Sequence, residues 1–154
     1  MNIMLDTTYI MPAIGITISG VQHDALKTLH AALGHTTSIR ELTLFELSAK
    51  GAKYTASGQL SLERLIKGLR SIILDESIQK APFYDDEQLV VSFRLRELIN
   101  DYVDCAILSS AICGHDALMT EDGIIHNLIE REEFKSIIDE TNPEFSVFSH
   151  RDLK

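Results

Sequence analysis

The chain has 154 residues, 45% hydrophobic and 24% charged, which suits one globular domain over residues 1–154 and excludes disordered, collagen-like and disulfide-stapled classes. Its net charge of −9 disfavours non-specific attraction to nucleic acid unless the acidic side chains hold divalent cations. Apolar runs shorter than a membrane span, and an N-terminus without a signal peptide, predict a cytoplasmic protein that does not contact a membrane.

The chain opens on an apolar stretch that reads as a buried strand. It covers residues 2–6 and ends in Asp6, and Thr7 or Thr8 is expected to cap the short helix that follows. Apolar residues at helical spacing then predict a helix over residues 21–33.

The next strand and helix carry a second acidic residue. β-branched residues predict a strand over residues 35–39, and the helical apolar period returns over residues 41–53. Thr43 and Glu46 have the spacing of a capping box, which puts Glu46 near the start of this helix and the end of the strand. The remaining predicted elements are, in order, a helix over 61–74, a strand over 77–83, helices over 85–99 and 105–113, a strand over 117–120, a helix over 124–131 and an edge strand over 145–148.

Strands alternate with helices along the whole chain. This order is typical of a parallel sheet covered by helices on both faces and joined by right-handed crossovers. The predicted fold is therefore α/β, a three-layer α/β/α sandwich with a central parallel sheet of about five strands.

Four acidic residues stand where strands end or helices begin, namely Asp6, Glu46, Asp104 and Asp122. Because the carboxyl ends of parallel strands share one edge of a sheet, these side chains are expected to converge. Each also has a plain structural interpretation, as a helix cap for Asp6 and Asp104 and as a turn residue for Asp122. Converging carboxylates repel one another unless cations offset their charge, and oxygen ligands of this kind suit Mg²⁺ or Mn²⁺.

Four short segments resemble the acidic motifs of PIN-domain ribonucleases: MLDT at 4–7, LFEL at 44–47, DCAILSSA at 104–111 and MTED at 119–122. The resemblance spans residues 2–148 and implies an endoribonuclease that depends on Mg²⁺ or Mn²⁺. By this resemblance the four acids form the metal site, with Thr120 and Thr7 as supporting hydroxyls. Glu121 is a further acid able to join or replace Asp122.

The resemblance also carries expectations about partners. Many stand-alone proteins similar to this family are VapC-type toxins, which cleave RNA, form homodimers and are held inactive by an antitoxin. The helix over residues 61–74 lies in the region that this resemblance assigns to the antitoxin groove and the approach of RNA.

Three functions remain open from the residues. The first is hydrolysis of RNA by metal-activated water, since the motifs contain no histidine or lysine to act as a nucleophile. The second is a non-catalytic PIN-like module that binds RNA or protein. The third, a Mg²⁺-dependent phosphatase with Asp6 as nucleophile, is disfavoured because Thr8 stands where a second aspartate is needed.

Overall fold

The computed structural model describes residues 1–19, 21, 34–82 and 85–153. Within these ranges the strands are β1 Asn2–Leu5, β2 Thr36–Arg40, β3 Ile78–Ala81, β4 Ala117–Met119 and β5 Ser146–Phe148. The α-helices are α1 Thr7–Ile10, α2 Glu41–Ala56, α3 Leu62–Leu74, α4 Asp86–Leu95, α5 Tyr102–Gly114, α6 Gly123–Leu128 and α7 Glu132–Thr141, and two 3-10 helices cover Met11–Ile14 and His150–Leu153.

The five strands form one sheet in the order β3-β2-β1-β4-β5, and every neighbouring pair is parallel. The central strand β1 pairs with β2 on one side and with β4 on the other, with Leu5 opposite Met119. This register brings the ends of β1 and β4 together, so that the residues after them, Asp6 and Thr120, are neighbours. The predicted parallel sheet of five strands is confirmed.

The two faces of the sheet carry separate apolar cores, because successive side chains of a strand point to opposite faces. Ile3 and Leu5 belong to the core shared with the first 3-10 helix, α2 and α3. Met4 belongs to the other core, which α4, α5, α6 and α7 cover. Helices therefore lie on both faces of the sheet, and the three-layer sandwich is confirmed.

Two predicted helix caps are wrong. Helix α1 is capped by Asp6 itself, whose carboxylate accepts a hydrogen bond from the Thr7 backbone N–H, so neither Thr7 nor Thr8 is the cap. Helix α2 begins two residues before Thr43 and has Arg40 at its N-cap, with no side-chain cap hydrogen bond. The capping box of Thr43 and Glu46 does not form, because the helix has already started and Thr43 packs in the interior.

Element boundaries differ in the second half of the chain. The helix predicted over residues 85–99 is shorter and is capped by Asp85, and α6 starts at Gly123 behind an Asp122 cap. Helix α7 was not predicted, although its buried Phe134 and Ile137 lie three residues apart. The helix predicted over residues 21–33 lies outside the described residues except for Val21.

Within the described part of the chain, no helix combines the length and the apolar run that crossing a bilayer requires.

Candidate metal site at the carboxyl edge of the sheet

Asp6 is the most buried of the four predicted acids, with 7% of its surface exposed. Its Oδ1 accepts from the Thr7 backbone N–H at 2.7 Å, and its Oδ2 accepts from the hydroxyls of Thr8 at 2.7 Å and Thr120 at 2.9 Å. Burial raises the pKa of Asp6, these hydrogen bonds oppose the rise, and the charge of Glu46 adds to it. The carboxylate is held in one orientation on the end of the central strand.

Glu46 lies on the second turn of α2 and is linked to Asp6 through Thr7. The Thr7 hydroxyl donates to Glu46 Oε2, while the Thr7 backbone N–H donates to Asp6. The other carboxylate oxygen of Glu46, Oε1, lies 3.0 Å from Nζ of Lys50, one turn further along α2. Asp6 and Glu46 thus share one hydrogen-bond network at the ends of β1 and β2.

Asp104 lies in the first turn of α5, three residues after the Asp101 cap. Burial raises the pKa of its carboxyl to about 7, and repulsion by the carboxylates of Asp101, Asp6, Asp122 and Glu46 adds to the rise. All of these causes act in the same direction. The four predicted acids therefore influence one another electrostatically at this edge.

The turn after β4 supplies the last acids. The Thr120 hydroxyl donates to Asp6 and accepts from the Asp122 backbone N–H at 3.0 Å, so it joins the two acidic segments. Asp122 also caps α6 by accepting from the Ile124 backbone N–H at 2.6 Å. Glu121 accepts a hydrogen bond from the hydroxyl of Tyr9. The turn is thereby fastened to the segment that follows β1.

The acidic side chains of this edge do not surround a common point at which one metal ion could bind. Among the described residues no three His, Cys, Asp or Glu side chains stand close enough to share one ion. Hydrogen bonds join Asp6 to Glu46 through Thr7 and to the backbone of Asp122 through Thr120, whereas Asp104 interacts with these acids by electrostatic repulsion. The donor set of carboxylates and hydroxyls nevertheless fits a hard divalent cation, which would offset the repulsion that raises the pKa of Asp104.

Sequence reasoning missed several side chains of this edge. Thr8 and Tyr9 hold Asp6 and Glu121, and the His126 ring contacts the Thr120 carbonyl oxygen at 2.9 Å. The contact between Tyr9 and Glu121 joins residues 112 positions apart and depends on tertiary register, whereas Thr8 bonds to Asp6 only two residues away. Lys50 is different, because its position four residues after Glu46 on a helix predicts an ion pair.

Lys50 responds to the same acids. Although burial lowers the pKa of its ammonium group, the hydrogen bond from Lys50 to Glu46 and the charges of Glu46, Asp6 and Asp104 raise it overall. The carboxyl edge of the sheet is therefore a region of strong negative potential, which the ammonium group of Lys50 partly balances.

No family model matches the chain, and no curated protein sequence matches it significantly. Four chains of solved structures do match, including the following two. The crystal structure of VapBC2 from Rickettsia felis, bound to a DNA fragment from their promoter, has a TM-score of 0.60 at 21% identity, covering 97% of this chain and 98% of that one. The crystal structure of VapC20 from Mycobacterium tuberculosis, a toxin that cleaves the sarcin-ricin loop, has a TM-score of 0.58 at 15% identity, covering 81% of this chain and 94% of that one.

The chain is an α/β protein with a PIN-like fold, and the similarity extends over nearly its whole length. Within that class, its fold is that of the VapC-type toxins. The likeness concerns the fold, so the activity has to be argued from the site.

Proposed function

We propose that the chain is a divalent-metal-dependent endoribonuclease and the toxin of a toxin-antitoxin pair. The observation that carries this proposal is the grouping of the predicted acids at the carboxyl edge, where burial and, after it, repulsion by the neighbouring carboxylates raise the pKa of Asp104 to about 7. A protein gains no stability from such repulsion, so a cluster of this kind indicates a site kept for function. The PIN-like fold and the toxin neighbours, one of which cleaves the sarcin-ricin loop, support the choice of RNA as substrate.

The roles of the side chains follow from how firmly each is held. Asp6 and Asp104 are the direct ligands to Mg²⁺ or Mn²⁺, since both stand at the ends of buried elements. Glu46 and Asp122 bind a second cation or orient the attacking water, and Glu121 joins or replaces Asp122 as a ligand. Thr7 and Thr120 fix the orientation of the carboxylates through the hydrogen bonds described above.

A bound divalent cation supplies two things here, a lowered pKa for the attacking water and positive charge beside the phosphodiester. The chain's own side chains supply orientation. Asp6 keeps one geometry because three donors hold it, and Thr120 couples that geometry to the turn containing Asp122. Thr8 donates to Asp6 instead of offering a second carboxyl group, which disfavours phosphatase chemistry at this aspartate.

The partners proposed are RNA, a second copy of the chain and an antitoxin. Helix α3 presents exposed apolar side chains along one face, with Ile66 46% and Ile73 54% exposed. Lys67 and Arg70 flank this face. Such a surface suits an apolar helix with acidic flanks, and the VapBC2 neighbour is itself a complex.

The proposal is tested by RNA hydrolysis with purified protein and Mn²⁺. We expect cleavage that stops on addition of EDTA and returns with excess Mn²⁺. Glu46→Gln should lower the rate about 10- to 100-fold or more, because it removes a charge from the site while keeping the side chain's shape. Electrophoresis of labelled RNA measures both effects.

The matched control is Glu41→Gln, an exposed glutamate in the first turn of the same helix. This variant should cleave at the wild-type rate. If wild-type protein with Mn²⁺ leaves every RNA intact and calorimetry detects no divalent cation binding, the chain is a non-catalytic binding module instead.

A further inference from the structure

Lys50 forms an ion pair with Glu46, one of the carboxylates predicted to bind the metal. Its Nζ lies 3.0 Å from Glu46 Oε1, with 41% of the Lys50 side chain and 18% of the Glu46 side chain exposed. The pair lies one turn apart on α2, a spacing that lets the two side chains meet without any change in the backbone.

The second oxygen of Glu46 is also engaged, because Oε2 accepts from the Thr7 hydroxyl. Both oxygens of Glu46 therefore have partners within the protein, and no three acidic side chains in the described ranges surround one point. For Glu46 to offer Oε1 to a divalent cation, the Lys50 ammonium group must leave it.

Lys50 is able to leave at little cost. Its side chain has four rotatable carbons and is well exposed, and partly exposed ion pairs contribute little to stability. A doubly charged cation attracts the surrounding carboxylates more strongly than one ammonium group does. The geometry therefore favours exchange of one cation for the other over simultaneous binding.

We propose that Lys50 is a tethered counter-cation that competes with the divalent cation for Glu46 and sets the cation concentration at which the site assembles. This inference rests on the proposed metal-dependent function and adds a positioning residue to it. Lys50 acts through Glu46, holding that carboxylate in its metal-free orientation.

The test is Mn²⁺ titration by calorimetry of the full-length protein. Lys50→Met should bind Mn²⁺ roughly three- to tenfold more tightly than wild type, because a positive charge and a competing partner are both removed. Lys50→Arg keeps the charge and should stay near the wild-type affinity. Lys53→Met, which removes an exposed lysine from the last turn of the same helix, should leave the affinity unchanged.

A mutant cycle with Glu46 separates competition from a general charge effect. In a Glu46→Gln background, adding Lys50→Met should give little or no further gain in Mn²⁺ affinity, since the shared carboxylate is absent. Lys50→Gln serves as a second neutral variant, and circular dichroism establishes that each variant folds.

Equal Mn²⁺ affinities for wild type, Lys50→Met and Lys50→Gln would overturn the competition, as would a gain of the same size in the Glu46→Gln background. If the wild-type protein cleaved RNA in either of these cases, the proposed metal-dependent function would still be supported. The reverse combination, tighter Mn²⁺ binding by Lys50→Met with no RNA cleaved, would retain the competition and remove the nuclease. Absence of Mn²⁺ binding in wild type and variants would overturn both.

Discussion

Asp104→Asn is expected to reduce RNA hydrolysis by about 10³-fold while making the metal-free protein more stable at neutral pH. The loss follows from the removal of a proposed direct metal ligand. The gain follows from the carboxylate's surroundings, since burial and four neighbouring acids raise its pKa from 3.8 to about 7. An amide fills the same space without a charge to desolvate or repel.

The sign of the pH dependence follows from proton binding. Between about pH 4 and 7 the folded protein keeps a proton on Asp104 that the unfolded chain has released, so raising the pH removes stability. Above pH 7 the full penalty applies, and below pH 4 it is absent. Because Asp104 is only partly buried, we expect a penalty of about 1–3 kcal/mol, smaller than the full shift implies.

Thermal unfolding in EDTA at pH 4 and pH 8 measures this effect. At pH 8, Asp104→Asn should melt about 3–8 °C above wild type, and the difference should shrink toward zero at pH 4. Asp101→Asn is the control for activity, because asparagine keeps the helix cap and the residue is exposed, and its own gain in stability should be smaller, since it removes only one of the causes that raise the pKa of Asp104. It should retain RNA hydrolysis. A variant at Asp104 that is active, or that is less stable than wild type at pH 8, would contradict the placement of this acid.

The expected loss of RNA hydrolysis and the expected gain in stability of Asp104→Asn have one cause, the negative charge of this carboxylate. The carboxyl edge stores repulsion among Asp6, Glu46, Asp104 and Asp122, and Lys50 and the surrounding hydroxyls relieve only part of it. Adding Mn²⁺ should therefore raise the melting temperature of wild type more than that of Asp104→Asn, by mass action on the folded state. Function and stability place opposite demands on the same carboxylates.

The sequence predicts more of the sheet than of the candidate site. Apolar runs mark β1 and β4 directly, and the rule that parallel strands end at one edge is enough to group the acids that follow them. The contact between Asp6 and Thr120 joins residues 114 positions apart, so it follows only from the strand register. The assignment of these residues to a metal site stays a prediction.

Local competition explains the errors. Asp6, Thr7 and Thr8 are all good caps, and the choice of Asp6 depends on the point at which β1 leaves the sheet. Helix α7, by contrast, starts with Glu132 and Glu133, which suit a first turn, and its apolar residues Phe134, Ile137 and Ile138 have helical spacing, so the local pattern is sufficient to predict it. Phe134 and Ile137 pack in the core that α7 shares with α4 and α5, and this packing stabilises a helix too short to be stable alone.

Gly68→Ala is expected to destabilise the fold by about 2–4 kcal/mol, because α3 and the first 3-10 helix touch backbone to backbone at this residue. A Cβ on Gly68 would lie 2.4 Å from the Ala13 carbonyl oxygen and 2.6 Å from Ile14 Cα. Neither atom belongs to a flexible side chain, so one helix must move. That movement would loosen the buried contacts of Leu65 and Ile72 in the same core.

Urea unfolding followed by circular dichroism measures the change. The matched control is Gly114→Ala at the end of α5, where a Cβ would meet no atom within 4 Å. That variant should equal wild type or exceed it slightly, since alanine favours the helix more than glycine does. The 3-10 helix follows α1 directly, so the shift at Gly68 should also disturb Asp6 and lower RNA hydrolysis. A Gly68→Ala variant within about 0.5 kcal/mol of wild type would show that the two helices can separate without cost.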